Sequence, residues 1–259
     1  MSPRTGVREW VGSLSALRWG EPAGAPRAVL LIHPANLQGR CFAKLVDCLP
    51  GGLPCIAPDL RGHGCSSREG PFGVEAWARD CWSVLRQLGP ERVCVVGASV
   101  GAAIGFELAA AHPETVQSLA GLGAALLPAS PDGDPLLAAL ADGPFDRELK
   151  RRLVNEAVAP GVGDALRWQV VDEVSDNDAM VVAAIWRGAL ATDVRPAAKR
   201  WRGPCLLATG EHDRGCPPEH ARAVAAEIGC EFRQLPDVGH LPFMEDPEGV
   251  GALVGEWIG

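Results

Sequence analysis

The sequence contains no tyrosine, so no phenolic hydroxyl can serve as acid, base or oxyanion donor. It lacks any stretch near the roughly 20 apolar residues that a membrane span requires. AGLGAALL, the nearest approach, is broken off at Pro128. The opening MSPRTGVREWVGS has neither the basic start nor the apolar centre of a secretory signal, and no membrane partner is expected. Nine cysteines are scattered without CxxC or other metal-ligand spacing, so no metal is expected, and no cofactor of another kind is expected either. Cys55, Cys94 and Cys205 lie in apolar runs, where a thiol behaves as a small buried hydrophobe. A reduced, cytoplasmic setting is the corresponding expectation. Positive charge is also short: 24 Lys and Arg stand against 32 Asp and Glu, a formal charge of −8. That balance argues against nucleic acid or an anionic membrane surface. A small-molecule substrate is the expected partner, and the oligomeric state is left open.

The chain has 259 residues, 47% of them hydrophobic and 22% charged, enough for one large core with an insertion. Short β-rich apolar runs alternate with helical patterns, as in a parallel sheet covered by helices on both faces. Strands are expected at 28–33, 54–59, 92–99, 118–123, 204–210 and 230–236, after an antiparallel lead-in at 8–11 and 14–20. Helices are expected at 74–89, 100–112, 218–229 and 247–258, the first and third ended by Gly89 and Gly229 and the second by Pro113. Residues 128–196 break the alternation, with helix-like segments and no strand pattern. The clearest, 175–193, has Ser175 as its expected N-cap. The organisation expected is a core of residues 1–127 and 197–259 with 128–196 inserted as a helical lid.

GASVG (97–101) stands between the strongest strand run and a clean helix. A serine in such an elbow has a strained backbone, tolerated only where Gly97 and Gly101 remove side chains that would clash. Ser99 is therefore the candidate nucleophile. The N–H of Val100, at the helix start, is a candidate oxyanion donor. A serine needs a base, and of six histidines only His240, in DVGHLPF, lies in a loop between the last strand and the last helix. Asp213, in GEHD just past a strand, is the candidate acid, with Glu211 as the weaker rival. The order Ser, acid, His fits the elbow architecture. After the 28–33 strand, Pro34 has no N–H, so the backbone of Ala35 is the second oxyanion candidate. Asn36 is a candidate pocket donor or an Asx-type brace of the loop. Trp168 and Trp186 in the insertion are candidates for lining the substrate cavity, or for packing within it. His63 and Arg61 in DLRGHGCSS read as structural turn residues.

HPANLQG, DLRGHGCSS, GASVGAA, GEHD and GHLPFMEDPE, in this order, resemble the α/β-hydrolase superfamily across nearly the whole chain outside the insertion. The size and inserted helices resemble the 3-oxoadipate enol-lactonase and small-esterase branch. The resemblance implies an eight-stranded, mostly parallel sheet, a Ser-His-Asp triad, an acyl-enzyme and a pocket between lid and sheet. Two departures touch the oxyanion side: His-Pro replaces the usual His-Gly, and Ala102 stands where a second glycine is common. Serine rather than aspartate at the elbow argues against haloalkane dehalogenases and epoxide hydrolases. HPANLQG also lacks the HGGPG-like run of proline iminopeptidases and many carbon–carbon hydrolases. The function expected is hydrolysis of a small ester, lactone or thioester. Another reaction on the same scaffold (carbon–carbon hydrolysis, acyl transfer, cofactor-free lysis) and a non-catalytic ligand-binding role stand as alternatives.

Overall fold

A computed structural model describes residues 3–258. An antiparallel lead-in, β1 (Val7–Val11) and β2 (Leu14–Trp19), precedes β3 (Ala28–Ile32), β4 (Cys55–Pro58), β5 (Val93–Ala98), β6 (Val116–Leu122), β7 (Cys205–Gly210) and β8 (Glu231–Leu235). They form one eight-stranded sheet in the order β1-β2-β4-β3-β5-β6-β7-β8, and β2 pairs antiparallel with both β1 and β4. From β4 to β8 every pairing is parallel.

The central strands are continuous apolar runs because both faces of the sheet are covered. Leu30, Ile32, Val93 and Val95 point to one face, under α2 (Val74–Leu88), α3 (Val100–Ala111) and α9 (Pro218–Ile228). Val29, Leu31, Cys94 and Val96 point to the other, under α1 (Ala43–Cys48) and α11 (Pro247–Ile258). This is the period-two alternation of a strand written into side-chain identity. Gly89 (φ 69°) and Gly229 (φ 75°) close α2 and α9 in the left-handed conformation, where an L side chain is disfavoured.

Between β6 and β7 lie α4 (Pro135–Asp142), α5 (Arg147–Ala157), α6 (Asp164–Glu173), α7 (Ala179–Leu190) and α8 (Arg195–Arg200). Leu136, Leu140, Phe145, Leu149 and Val182 give this insertion a small core of its own. It is also rooted in the main body, through Ile185 on one face of the sheet and Val154, Val158, Val170 and Val171 on the other. The short helix α8 straddles the expected boundary at residue 196 and packs on α3.

Two expectations are corrected. Ser175 does not cap a helix: its hydroxyl donates to Leu37 O (2.9 Å) and accepts from Gly64 N (3.0 Å). The cap of α7 is Asp178, whose carboxylate accepts from Val181 N at 2.9 Å. Cys205 is not a free thiol but is disulfide-bonded to Cys230, with Cα atoms 5.0 Å apart. Among the described residues no helix is long and apolar enough to cross a membrane. The short element α10 (Pro242–Glu245) follows the β8 loop and leads into α11.

Candidate functional site

The strand β5 ends buried at Ala98, and the chain must turn at once to start α3. Ser99 carries the turn at φ 52°, ψ −122°. Such a conformation costs a non-glycine residue about 1–3 kcal/mol and persists only where surrounding structure fixes it. The fixing contacts are close. A Cβ on Gly97 would stand 2.3 Å from Gly101 O, and one on Gly101 would stand 2.2 Å from Ile32 O. The Ser99 N–H donates to Leu122 O (2.9 Å) and the Ser99 carbonyl accepts from Ala102 N (3.0 Å). Val100 opens α3, where its N–H has no carbonyl one turn back to bond.

Asp213 follows β7 and His240 follows β8, so parallel pairing of these strands returns both loops to the sheet edge that carries Ser99. His240 Nδ1 lies 2.9 and 3.0 Å from the two Asp213 carboxylate oxygens. The Asp213 side chain is fully buried, while His240 keeps 17% exposure. Asp213 also accepts the Cys216 N–H at 2.8 Å, which fixes its rotation. Burial disfavours a charged His240 imidazole, but the Asp213 charge and hydrogen bond outweigh it and raise its pKa above the ordinary value. No direct hydrogen bond joins the Ser99 hydroxyl to His240 among the described residues, although both line the same two cavities. Nucleophile–base bonds are often open in unliganded sites and tighten around substrate.

Residues 118–128, SLAGLGAALLP, carry no carboxylate, and the glycine that follows β6 has a role beside the Asp–His pair. Gly123 has φ 51°, and a Cβ there would stand 2.9 Å from both Asp213 Oδ2 and His240 O. Only glycine leaves room for the Asp–His pair. Its signal in the sequence was a glycine at a strand end, which also reads as an ordinary turn.

Two cavities meet at Ser99 and His240. The smaller, about 330 Å³, runs under α5 and α6 past Leu136, Leu153, Val154 and Val170. The larger, about 730 Å³, runs past Ala124, Leu126, Leu190 and Val224. Ala35, Asp134, Trp186 and Arg214 border both. Trp186 Nε1 donates to Asp134 Oδ2 at 3.0 Å, which holds the indole between the two spaces. No backbone acceptor takes the Ala35 N–H among the described residues. Asn36 lies beside it at φ 67°, buried, and borders the smaller cavity; its Oδ1 is unpartnered, so of its two candidate roles the Asx-type brace is not formed. Its carbonyl instead accepts Ser175 N at 2.7 Å. Trp168 is elsewhere. It borders neither cavity, being 37% exposed with Arg147 and Arg151 guanidinium groups 4.6 and 4.2 Å over its ring. Nothing local in the sequence distinguishes Asp134 and Arg214 from surface charges.

His33, Asp59, Arg61 and His63, in the turns after β3 and β4, border neither cavity and brace those turns. His33 Nε2 accepts Leu60 N at 3.0 Å, and burial lowers the pKa of its ring. Burial pushes His63 down to about 3. Burial raises the Asp59 carboxyl, but donors from Cys65, Gly39 and Ser15 prevail and hold it below the ordinary value. Arg61 grips Asp80 with two bonds of 2.6 Å. Glu211, the rival acid, accepts Asp237 N at 3.4 Å instead of meeting His240. With His212 and Asp237 it sets three ligand-type atoms within 4.8 Å of one another, a largely exposed group that borders neither cavity.

A family model described as the alpha/beta hydrolase fold matches residues 27–247. The magnesium-chelatase 30 kDa subunit of Rhodobacter capsulatus is 26% identical over 92% of this chain and 88% of its own. The pimeloyl-[acyl-carrier protein] methyl ester esterase of Aromatoleum aromaticum is 29% identical over 87% of this chain and 96% of its own. The enol-lactonase of Burkholderia xenovorans LB400 superposes with a TM-score of 0.85 at 21% identity, covering 97% of this chain and 99% of that one. This last likeness speaks to the fold.

Proposed function

The chain belongs to the alpha/beta hydrolase fold family, and from that premise we propose that it is a serine hydrolase acting on a small ester, lactone or thioester through Ser99, His240 and Asp213. The observation that carries this reading is the strained Ser99 backbone bordering the two cavities that His240 also borders. A conformation that costs free energy and exposes a hydroxyl beside an imidazole–carboxylate pair has a use in acyl transfer.

In the proposed reaction His240 Nε2 takes the Ser99 proton as Oγ attacks the carbonyl carbon. Asp213 keeps the Nδ1–H tautomer and stabilises the imidazolium. The Ala35 and Val100 N–H groups receive the negative charge on the carbonyl oxygen. His240 then returns the proton to the departing alcohol or thiol. Water, deprotonated by His240, releases the acid and restores Ser99. The two apolar cavities support a substrate with a group on each side of the carbonyl, and the insertion acts as a lid that closes over it. The esterase named among the relatives supports ester chemistry. Ser99→Ala should lower turnover of a p-nitrophenyl acyl ester panel on the order of 10⁴-fold or more. Undiminished turnover counts against the nucleophile.

A second reading, a binding or subunit role on this scaffold, draws support from the relative named as a magnesium-chelatase subunit. Failure of Ser99 to react with a fluorophosphonate would favour it. Product analysis with and without an added alcohol separates hydrolysis from acyl transfer.

A further inference from the structure

We infer that Glu245 is the positioning residue of His240: its carboxylate holds the backbone on both sides of the imidazole and ties that loop to the end of α5. The inference rests on the proposed reading of His240 as the base. Glu245 ends α10, five residues after His240, and its side chain folds back onto the loop. Oε2 accepts Gly239 N at 2.9 Å and Ala159 N at 2.8 Å, and Oε1 accepts Leu241 N at 3.0 Å. Between these, His240 N donates to Ala157 O at 2.7 Å. Three consecutive N–H groups are thereby fixed, two by one carboxylate and one by the exit of α5. Bonds from N–H to a carboxylate are roughly twice as strong as neutral ones. The approach is tight: a Cβ on Gly239 would stand 2.5 Å from Ala157 O. The loop makes no regular sheet bonds here, so this clamp sets where the imidazole stands and couples it to the inserted helices.

Glu245 also places a second carboxylate near the ring. Burial lowers the His240 pKa, Asp213 raises it most strongly, and Glu245 raises it further. The other charged or titratable groups bordering the two cavities that His240 shares are Arg214 and Cys216 from the β7–α9 loop, His220 from α9, Lys150 and Glu156 from α5, and Asp134 before α4. Arg214 and Lys150 oppose Glu245 in sign, and Glu156 and Asp134 reinforce it.

The test is Glu245→Gln in the full chain. Glutamine keeps the length and part of the hydrogen bonding and removes the charge. The His240 ring is titrated by NMR in histidine-labelled protein, its signal identified by loss in His240→Ala, and ester turnover is followed against pH. Glu245→Gln is expected to move the His240 midpoint to lower pH, carry the acid limb of kcat/KM with it, and lower kcat about 10-fold or more with little change in KM. Glu245→Asp, shorter by one carbon, should return the midpoint towards wild type without restoring kcat. A Glu245→Gln protein that is merely less stable, with the His240 midpoint and kcat per folded molecule unchanged, overturns the inference. If Glu245→Gln does not fold, Glu245→Asp with wild-type kcat overturns it. Failure of the base reading is separate: it shows as full turnover in His240→Ala, whatever the NMR midpoint does in Glu245→Gln.

Discussion

Gly123→Ala isolates the geometry of the Asp213–His240 pair from the stability of the fold. Alanine at φ 51° carries the left-handed penalty, about 1–2 kcal/mol. Its Cβ would also stand 2.9 Å from Asp213 Oδ2 and 3.3 Å from His240 Nδ1, so the pair must move by a few tenths of an ångström. Asp213 has little freedom to yield, since it is buried and bound to Cys216 N. A misplacement of about 1 Å at a catalytic group costs on the order of 10²-fold, so this smaller shift should lower kcat by less than that, about 10-fold. The control is Gly229→Ala, at φ 75° with nothing within 4 Å of the added Cβ, which bears the backbone penalty alone. Thermal unfolding should show both variants lower by roughly 2–6 °C in Tm, and ester turnover should fall only in Gly123→Ala. Full kcat in Gly123→Ala, or an equal loss in Gly229→Ala, refutes the reasoning.

Three further outcomes follow from the same contacts. Because His240 must be neutral to act as base and its pKa is raised, kcat/KM should climb with pH through an acid limb centred above 6.5. A midpoint below that value contradicts the Asp213 coupling. Arg61→Ala leaves the buried Asp80 carboxylate without its two bonds and should cost about 2 kcal/mol by urea unfolding. Turnover per folded molecule should stay near wild type, since neither residue borders the cavities. Thiol titration of the denatured, unreduced chain should count seven free cysteines of nine. Nine would mean that Cys205 and Cys230 are not joined.

The strand runs and the elbow were legible because their signals are local. Val93–Ala98 is apolar throughout and leads into glycines whose spacing only a tight turn needs. His240 and Asp213 were legible through order along the chain, since each follows a strand that must end at the same edge. What escaped depends on approach in space. The pairing of Cys205 with Cys230 spans 25 residues and has no spacing signature. Ser175 has the chemistry of a helix cap, but tertiary bonds to Leu37 and Gly64 claim its hydroxyl. Trp168 and Trp186 both lie on inserted helices, yet only Trp186 borders the cavities, while Trp168 is exposed with Arg147 and Arg151 over its ring. Glu245 sat within a recognised motif, and its three backbone partners come from two separate segments.

The central claim is that Ser99 is a nucleophile activated by His240. The most direct measurement is mass spectrometry of the intact chain after a fluorophosphonate, followed by peptide mapping. The account predicts a single adduct on Ser99, absent from Ser99→Ala and formed at least about 10²-fold more slowly in His240→Ala. An unlabelled Ser99, or labelling that is indifferent to His240, contradicts it.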